Sequence, residues 1–315
     1  MKAYALIFLI GLGLGAYLFF SNPWLQADYH SDSYGWFVDF SRSIFQSQSA
    51  YYAESILLPL IGKLIGASRS ILFYKSLCAV ITLGILPIAG VFAQRYFQNF
   101  YKALIFILLF GLSFQYLQFF ILGFPDPLTI VLLLASIFQR NVAAIFCLVT
   151  LALLSHFSMA AVGILALLGL IYTSPILMRA AATKYCGSLL LSLLAGKFIL
   201  LSWYWVFHYQ LQSRLNWALE KGYLFFLERF QAETQGFWLT PGIPFLVLYF
   251  LIATYFLMQK KFAFVLSALL ALAIAYVALF WTVDGLRVFA VVIAAPYAYL
   301  LLSFINSLPF LKAAK

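Results

Sequence analysis

Residues 142–172 read VAAIFCLVTLALLSHFSMAAVGILALLGLIY, a stretch with no Asp, Glu, Lys or Arg and with one histidine, His156. Apolar runs of about 20 residues cross a lipid bilayer as helices. We therefore predict two short spans, 142–155 and 157–172, with His156 either at the turn between them or lining a polar cavity.

Apolar runs of this kind recur along the whole chain. Of its 315 residues 65% are hydrophobic and 9% are charged, against about 25% charged in soluble domains. No polar stretch is long enough for a separate soluble domain, so we predict an all-α, polytopic transmembrane helical bundle that forms one domain, 1–315. The ten candidate crossings are 3–20, 71–93, 103–122, 127–139, 142–155, 157–172, 186–206, 242–258, 262–281 and 288–306.

Segment 51–68 is apolar but contains Glu54, Pro59 and Lys63, and we predict that it lies in the plane of the membrane surface. With the N-terminus inside and 51–68 not crossing, all nine acidic residues face outward. The inner face then receives only basic residues, as the positive-inside rule requires: Lys2, Arg95, Lys102, Arg140, Arg179, Lys184, Lys260, Lys261, Lys312 and Lys315. The net charge of +10 is thus explained by topology, and we expect no nucleic-acid partner.

The first outer segment, QADYHSDSYGWFVDF at 26–40, holds a third of all the carboxylates. If it is helical, Asp28, Asp32 and Asp39 share one face with Trp36 beside it. Like charges at that spacing raise at least one pKa, which suits a general base. Alternatively, these aspartates cap helices or bind a cation in a solvated loop.

The layout resembles the C-type glycosyltransferases (GT-C), membrane enzymes in which the first outer loop carries the catalytic acid. The resemblance lies in the first span, the acidic outer loop 21–70 with in-plane helices, AESILLPLIGKLIGASRSILFYK at 53–75 and GFPDPLT at 123–129. It covers 1–175 and leaves C-terminal helices at 176–315 with an outer loop at 207–241. The usual paired acidic residues are replaced here by Asp-x-x-x-Asp, which leaves the base open between Asp32 and Asp28.

The resemblance implies an inverting transfer of a sugar from a polyprenyl-phosphate donor to the hydroxyl of a glycan or lipid-linked acceptor, on the outer side of the membrane. We expect a bacterial inner-membrane enzyme of cell-envelope polysaccharide synthesis, with both termini cytoplasmic and a periplasmic active site. A polysaccharide polymerase or ligase with a lipid-diphosphate donor, or a transporter or flippase for lipid-linked sugars, are the alternatives. No cofactor motif is present, and nothing in the sequence specifies a divalent metal.

Other charged residues are candidates for binding the donor. A cationic side chain would stabilise the departing phosphate, and Arg287, Arg69 and Lys197 are the candidates. Arg287 could instead pair with Asp284, and Lys197 could extend to the membrane surface. The remaining predicted substrate-binding residues are Asp126, which could alternatively cap a helix, with His156, Asp284 and Trp36.

Overall fold

The computed structural model describes residues 2–21, 35–46, 54–114, 124–210, 214–239, 242–280 and 285–308. These residues form an all-α structure of thirteen α-helices and one short 3-10 helix, Ala67–Arg69. In chain order the α-helices are α1 (Lys2–Phe20), α2 (Trp36–Arg42), α3 (Leu57–Leu64), α4 (Ile71–Phe97), α5 (Phe100–Phe114), α6 (Asp126–Ile137), α7 (Val142–Ser155), α8 (Phe157–Tyr172), α9 (Arg179–Val206), α10 (Arg214–Leu239), α11 (Gly242–Met258), α12 (Phe262–Phe280) and α13 (Gly285–Ser307).

The predicted helical membrane class is confirmed. By length and composition α1, α4, α9 and α13 are able to cross a membrane, and six shorter apolar helices accompany them. Three predicted segments, 142–155, 157–172 and 242–258, coincide with helices α7, α8 and α11. The largest difference is α9, which begins at Arg179 and not at 186.

Helix α6 is shorter than the hydrocarbon core of a bilayer. Helix α6 has 12 residues, which at about 1.5 Å per residue gives a length of about 18 Å. The hydrocarbon core of a bilayer is about 30 Å thick. At least one end of α6 is therefore recessed, and other parts of the protein must cover it.

Side-chain hydrogen bonds show which helix ends lie together. Ser155 at the end of α7 donates to the Pro125 carbonyl just before α6, at 3.1 Å. We call this the site end of the bundle. At the opposite end, the Tyr185 hydroxyl of α9 donates to the Ser136 carbonyl at 2.8 Å, and the Tyr299 hydroxyl of α13 donates to Ser174 Oγ at 2.6 Å. Consecutive crossings therefore alternate in direction here, as the predicted topology requires.

Helix α13 is the central helix of the bundle. It packs against α5, α6, α8 and α12, and most of its residues are buried. A helix that is apolar all round is typical of a site surrounded by protein. Any charged residue near the start of α13 is consequently placed among other side chains.

Small residues allow α1 to approach α4 closely. A Cβ added at Gly11 would lie 2.8 Å from Pro87 Cα, and one at Gly90 would lie 2.8 Å from Ile7 Cγ2. Small residues permit this kind of backbone contact between membrane helices. The contact point moves from Ile7 to Gly11 along α1 as it moves back from Gly90 to Pro87 along α4, so the two helices are antiparallel.

The segment after α1 forms short helices that pack on the site end. Ser41 in α2 donates to the Pro59 carbonyl in α3 at 2.6 Å, and a Cβ at Gly62 would lie 2.8 Å from the Tyr74 ring of α4. The predicted helix over 51–68 is thus shorter, with α3 followed by the 3-10 turn.

Tyr209, just after α9, connects the site end to the turn that follows α2. Its hydroxyl donates to the Ile44 carbonyl at 2.6 Å. Burial raises the pKa of the Tyr209 phenol above its usual value, which keeps the donating proton in place. Most of the predicted outer loop 207–241 is then helix α10, interrupted at Gly222, which has a left-handed φ of 78°.

Candidate functional site

A buried ion pair lies at the site end of the bundle. Arg287 Nη1, in the first turn of α13, is 2.6 Å from Asp126 Oδ2 at the start of α6. The Asp126 side chain is 0% exposed and the Arg287 side chain 9%. Charges are removed from water at this depth only when they are paired, so the two residues depend on each other for burial.

An aromatic ring supports the arginine. The Arg287 guanidinium carbon is 4.2 Å from the centre of the Phe124 ring, a distance typical of a cation–π interaction. Phe124 is in turn held by the edge of the Phe37 ring from α2, with 5.3 Å between the centroids. Cys78 of α4 lies 3.8 Å from the Phe124 carbonyl. Two groups therefore position the guanidinium: the carboxylate of Asp126 and the aromatic ring of Phe124.

His156 completes the cluster. It joins α7 to α8 with an extended backbone (φ −154°, ψ 95°), which confirms the predicted turn. Its Nε2 lies 4.0 Å from Asp126 Oδ1. Among the described residues that oxygen has no hydrogen-bond partner. Asp126 thus presents one oxygen to Arg287 and the other toward an imidazole.

The local backbone explains why Asp126 points inward. Helix α6 has Pro125 at its N-cap and Asp126 as its first residue, so the carboxylate does not occupy the predicted capping position. The Pro125 carbonyl accepts bonds from the hydroxyls of Ser155, at 3.1 Å, and Thr129, at 3.3 Å. These bonds hold the proline turn against the end of α7, beside His156.

Arg287 has a partner that is distant in the sequence. The positive end of a helix dipole disfavours a cation, so the sequence predicts an anion nearby, with Asp284 as the nearest candidate. The structure shows Asp126, 161 positions away, as a partner. Asp284 lies outside the described residues, as do both predicted bases, Asp32 and Asp28.

Two further ionisable residues, Glu54 and Lys75, lie in segments that contact the cluster. The Glu54 carbonyl accepts a bond from the Phe157 amide at 3.0 Å, and one oxygen of the Glu54 carboxylate is buried. Lys75 of α4 is 1% exposed and precedes Cys78 by three residues, on the same side of the helix. The sequence signal in each case is a charged residue within an apolar segment.

Three further predicted binding residues are exposed, unlike the buried Asp126. Trp36, the first residue of α2, is 51% exposed. Lys197 is exposed on α9, and its ammonium lies 4.9 Å from the centre of the Phe157 ring, toward the site end. Arg69 lines a groove on the outer side of α4.

The cluster lies at the ends of two short helices. Asp126 begins the 12-residue helix α6, and His156 follows α7, which has 14 residues; at about 1.5 Å per residue both are shorter than the bilayer core. Phe37 of α2 and the backbone of Glu54 cover these recessed ends. The arrangement places a cation, a carboxylate and an imidazole next to α2 and the Glu54 backbone, with side-chain exposures of 9% or less. Such a setting strengthens electrostatic interactions with an anionic ligand.

No protein-family model matches the chain, and no curated protein or solved structure is significantly similar to it.

Proposed function

We propose that the protein is an integral-membrane glycosyltransferase of the GT-C type, which moves a sugar from a polyprenyl-phosphate donor to an acceptor hydroxyl on the extracytoplasmic side. The observation that carries the proposal is the buried pair between Asp126 and Arg287, with His156 beside it, at the site end. Segment 22–34, with Asp28 and Asp32, lies between α1 and α2 in the sequence and outside the described residues.

The chemistry requires few groups. The acceptor hydroxyl attacks the anomeric carbon of the sugar, the bond from that carbon to the phosphate oxygen breaks, and the lipid phosphate leaves. The hydroxyl proton passes to a carboxylate acting as general base, for which we propose Asp32 or, as the alternative, Asp28. The leaving group is already an anion, so a cation is needed to stabilise it.

Arg287 is the proposed partner of the leaving phosphate. A guanidinium is planar and matches the oxygens of a phosphate in a bidentate arrangement. Asp126 and the Phe124 ring orient that plane before the donor binds, and preorganised charge of this kind lowers the barrier of charge-transfer steps. His156 lies beside Asp126 Oδ1. From this position it is proposed to form a hydrogen bond with the sugar donor.

The position of the cluster favours an enzyme over a transporter. Transporters place their substrate sites near the bilayer midplane, between repeated units. Here the charged groups lie at the first residues of α6 and α13 and at the turn between α7 and α8. A site at one end of the bundle gives access to one membrane face only.

Purified protein incubated with labelled polyprenyl-phosphate sugars and candidate acceptors tests the proposal. We expect transfer by the unaltered chain and none by Asp32→Asn, with binding of the donor retained. Arg287→Gln should lower the transfer rate by about 100-fold to 1000-fold, as expected for the loss of one preorganised donor.

Asp39→Asn is the matched control, because Asp39 lies in the same acidic region but is 74% exposed and paired with Arg42. It should transfer sugar at the unaltered rate. Full activity in both Asp32→Asn and Asp28→Asn would exclude the assigned base, and transport of the labelled lipid without any transfer would exclude the enzyme.

A further inference from the structure

A groove runs along the outer side of α4 at the site end. It has a volume of about 420 Å³ and is lined by Ile65, Gly66, Ala67, Arg69, Phe73, Ser76, Leu77 and Val80. Phe73, Leu77 and Val80 are spaced four and three residues apart, which places them on one side of the helix. Phe73 is 59% and Val80 67% exposed. In a helix that crosses the membrane, an exposed apolar stripe of this kind faces lipid.

Three cations lie together where this groove meets the 3-10 turn before α4. Arg42 Nε donates to the Ser68 carbonyl at 2.8 Å, and its Nη2 donates to the Arg69 carbonyl at 3.2 Å. Lys63 Nζ donates to the Arg42 carbonyl. These bonds join α2, α3 and the 3-10 turn so that the three positive side chains share one small surface.

The charge of this surface is only partly compensated. Asp39 pairs with Arg42 at 2.9 Å, whereas Arg69 has no carboxylate partner among the residues that the structure describes. The Arg69 side chain passes over Gly66, where an added Cβ would lie 3.4 Å from Arg69 Nε. Gly66 has a left-handed φ of 77°, a conformation that favours glycine. The turn therefore presents an exposed guanidinium directly above an apolar groove.

The groove is separate from the Asp126 cluster. Lys75 and Cys78, which face the cluster, are 1% and 0% exposed. Lys75 is two positions after Phe73, which is about 200° around an α-helix. A lipid in the groove would thus lie on the far side of α4 from Arg287, and its phosphate would not reach the proposed reaction site.

We infer that this groove binds an anionic phospholipid of the surrounding bilayer, with its phosphate at Arg69 and one acyl chain along Phe73, Leu77 and Val80. The positive surface and the apolar stripe match the two parts of such a lipid, and a guanidinium forms strong hydrogen bonds with phosphate. The inference does not depend on the proposed sugar transfer. It also gives Arg69 a role in lipid binding in place of the predicted role in binding the donor.

Lipid titration of the purified full chain tests the inference. Delipidated protein in detergent is titrated with phosphatidylglycerol or with phosphatidylcholine, and bound lipid is counted by native mass spectrometry while the unfolding temperature is followed. We expect tighter binding of phosphatidylglycerol to the unaltered chain. Arg69→Gln should weaken that binding by about tenfold, the effect of one charge-assisted hydrogen bond.

Lys221→Gln is the matched control, because Lys221 is an exposed cation of α10, at the same end of the bundle but outside the groove. It should leave phosphatidylglycerol binding unchanged. Val80→Trp, which fills the groove at an exposed position, should weaken binding with Arg69 still present and covers the case in which Arg69→Gln misfolds.

Three results would overturn the inference: equal binding of both phospholipids, unchanged binding by Arg69→Gln and Val80→Trp, or displacement of phosphatidylglycerol from the unaltered chain by polyprenyl phosphate at lower concentration. The last result would assign the groove to the donor lipid.

Discussion

Neutral hydroxyls join helices at the opposite end of the bundle, whereas a buried ion pair joins them at the site end. At the opposite end the Tyr185 hydroxyl donates to a carbonyl of α6 and the Tyr299 hydroxyl to Ser174. At the site end Asp126 and Arg287 form an ion pair with almost no exposure. The first arrangement stabilises helix packing with neutral groups, and the second maintains charges that packing alone does not require.

Buried ion pairs are seldom the most stable choice for a protein interior. The cost of removing both charges from water often exceeds their mutual attraction, so apolar residues of the same volume would serve stability equally well. The contrast between the two ends is in line with our proposal that the charges of the site end serve a ligand.

The largest expected effect concerns which end of the bundle faces the outside of the cell. Labelling of each end should be all or none. In a chain whose three cysteines have been replaced, Gln46→Cys lies exposed at the site end and Lys261→Cys lies exposed at the opposite end. Because basic residues collect at the cytoplasmic face, a membrane-impermeant maleimide applied to intact cells should label position 46 and not position 261. Labelling of position 261 alone would reverse the orientation and remove the extracytoplasmic site.

The next effect concerns the stability of the buried pair. Asp126→Asn leaves the Arg287 charge buried without its carboxylate, which should reduce the free energy of unfolding by about 3–5 kcal/mol. Chemical denaturation in detergent measures this change. Asp39→Asn, which removes the exposed partner of Arg42, is the control and should cost at most about 1 kcal/mol, because solvent screens that pair.

The double variant Asp126→Leu/Arg287→Met separates stability from function. Removing both charges should restore most of the lost stability, while sugar transfer stays absent. A double variant that is both stable and active would show that the pair has only a structural role.

The smallest effects belong to the opposite end. Tyr185→Phe and Tyr299→Phe each remove one neutral hydrogen bond and should lower the free energy of unfolding by about 1 kcal/mol. Transfer activity should be unchanged in both, as measured in the same assay. A loss of activity without a loss of stability would show that the two ends are not functionally distinct.

Much of the fold was predictable because hydrophobicity is a local property. The boundaries of α7, α8 and α11 follow from where apolar runs begin and end, and His156 was recognisable as the break between two helices. The shortness of α6 and α7 also predicted that protein would have to cover their ends. Phe37 and the backbone of Glu54 provide that cover.

The membership of the site was less predictable. A counter-charge for Arg287 is expected from the helix dipole, but its contact with Asp126 joins residues 161 positions apart, and Asp284, the predicted partner, lies outside the described residues. Lys75 and Arg69 are close in sequence and similar in charge. Arg69 is exposed in the 3-10 turn before α4, whereas Lys75 is buried in the first turns of α4.

The sequence by itself determined the number and positions of the apolar helices and the separation of basic from acidic residues, since each depends on composition within a short window. The tertiary structure alone decided which charges meet, which face lipid and which helix ends are recessed. Those relations arise from packing between distant helices, where a rotation of one helix exchanges a buried side chain for an exposed one.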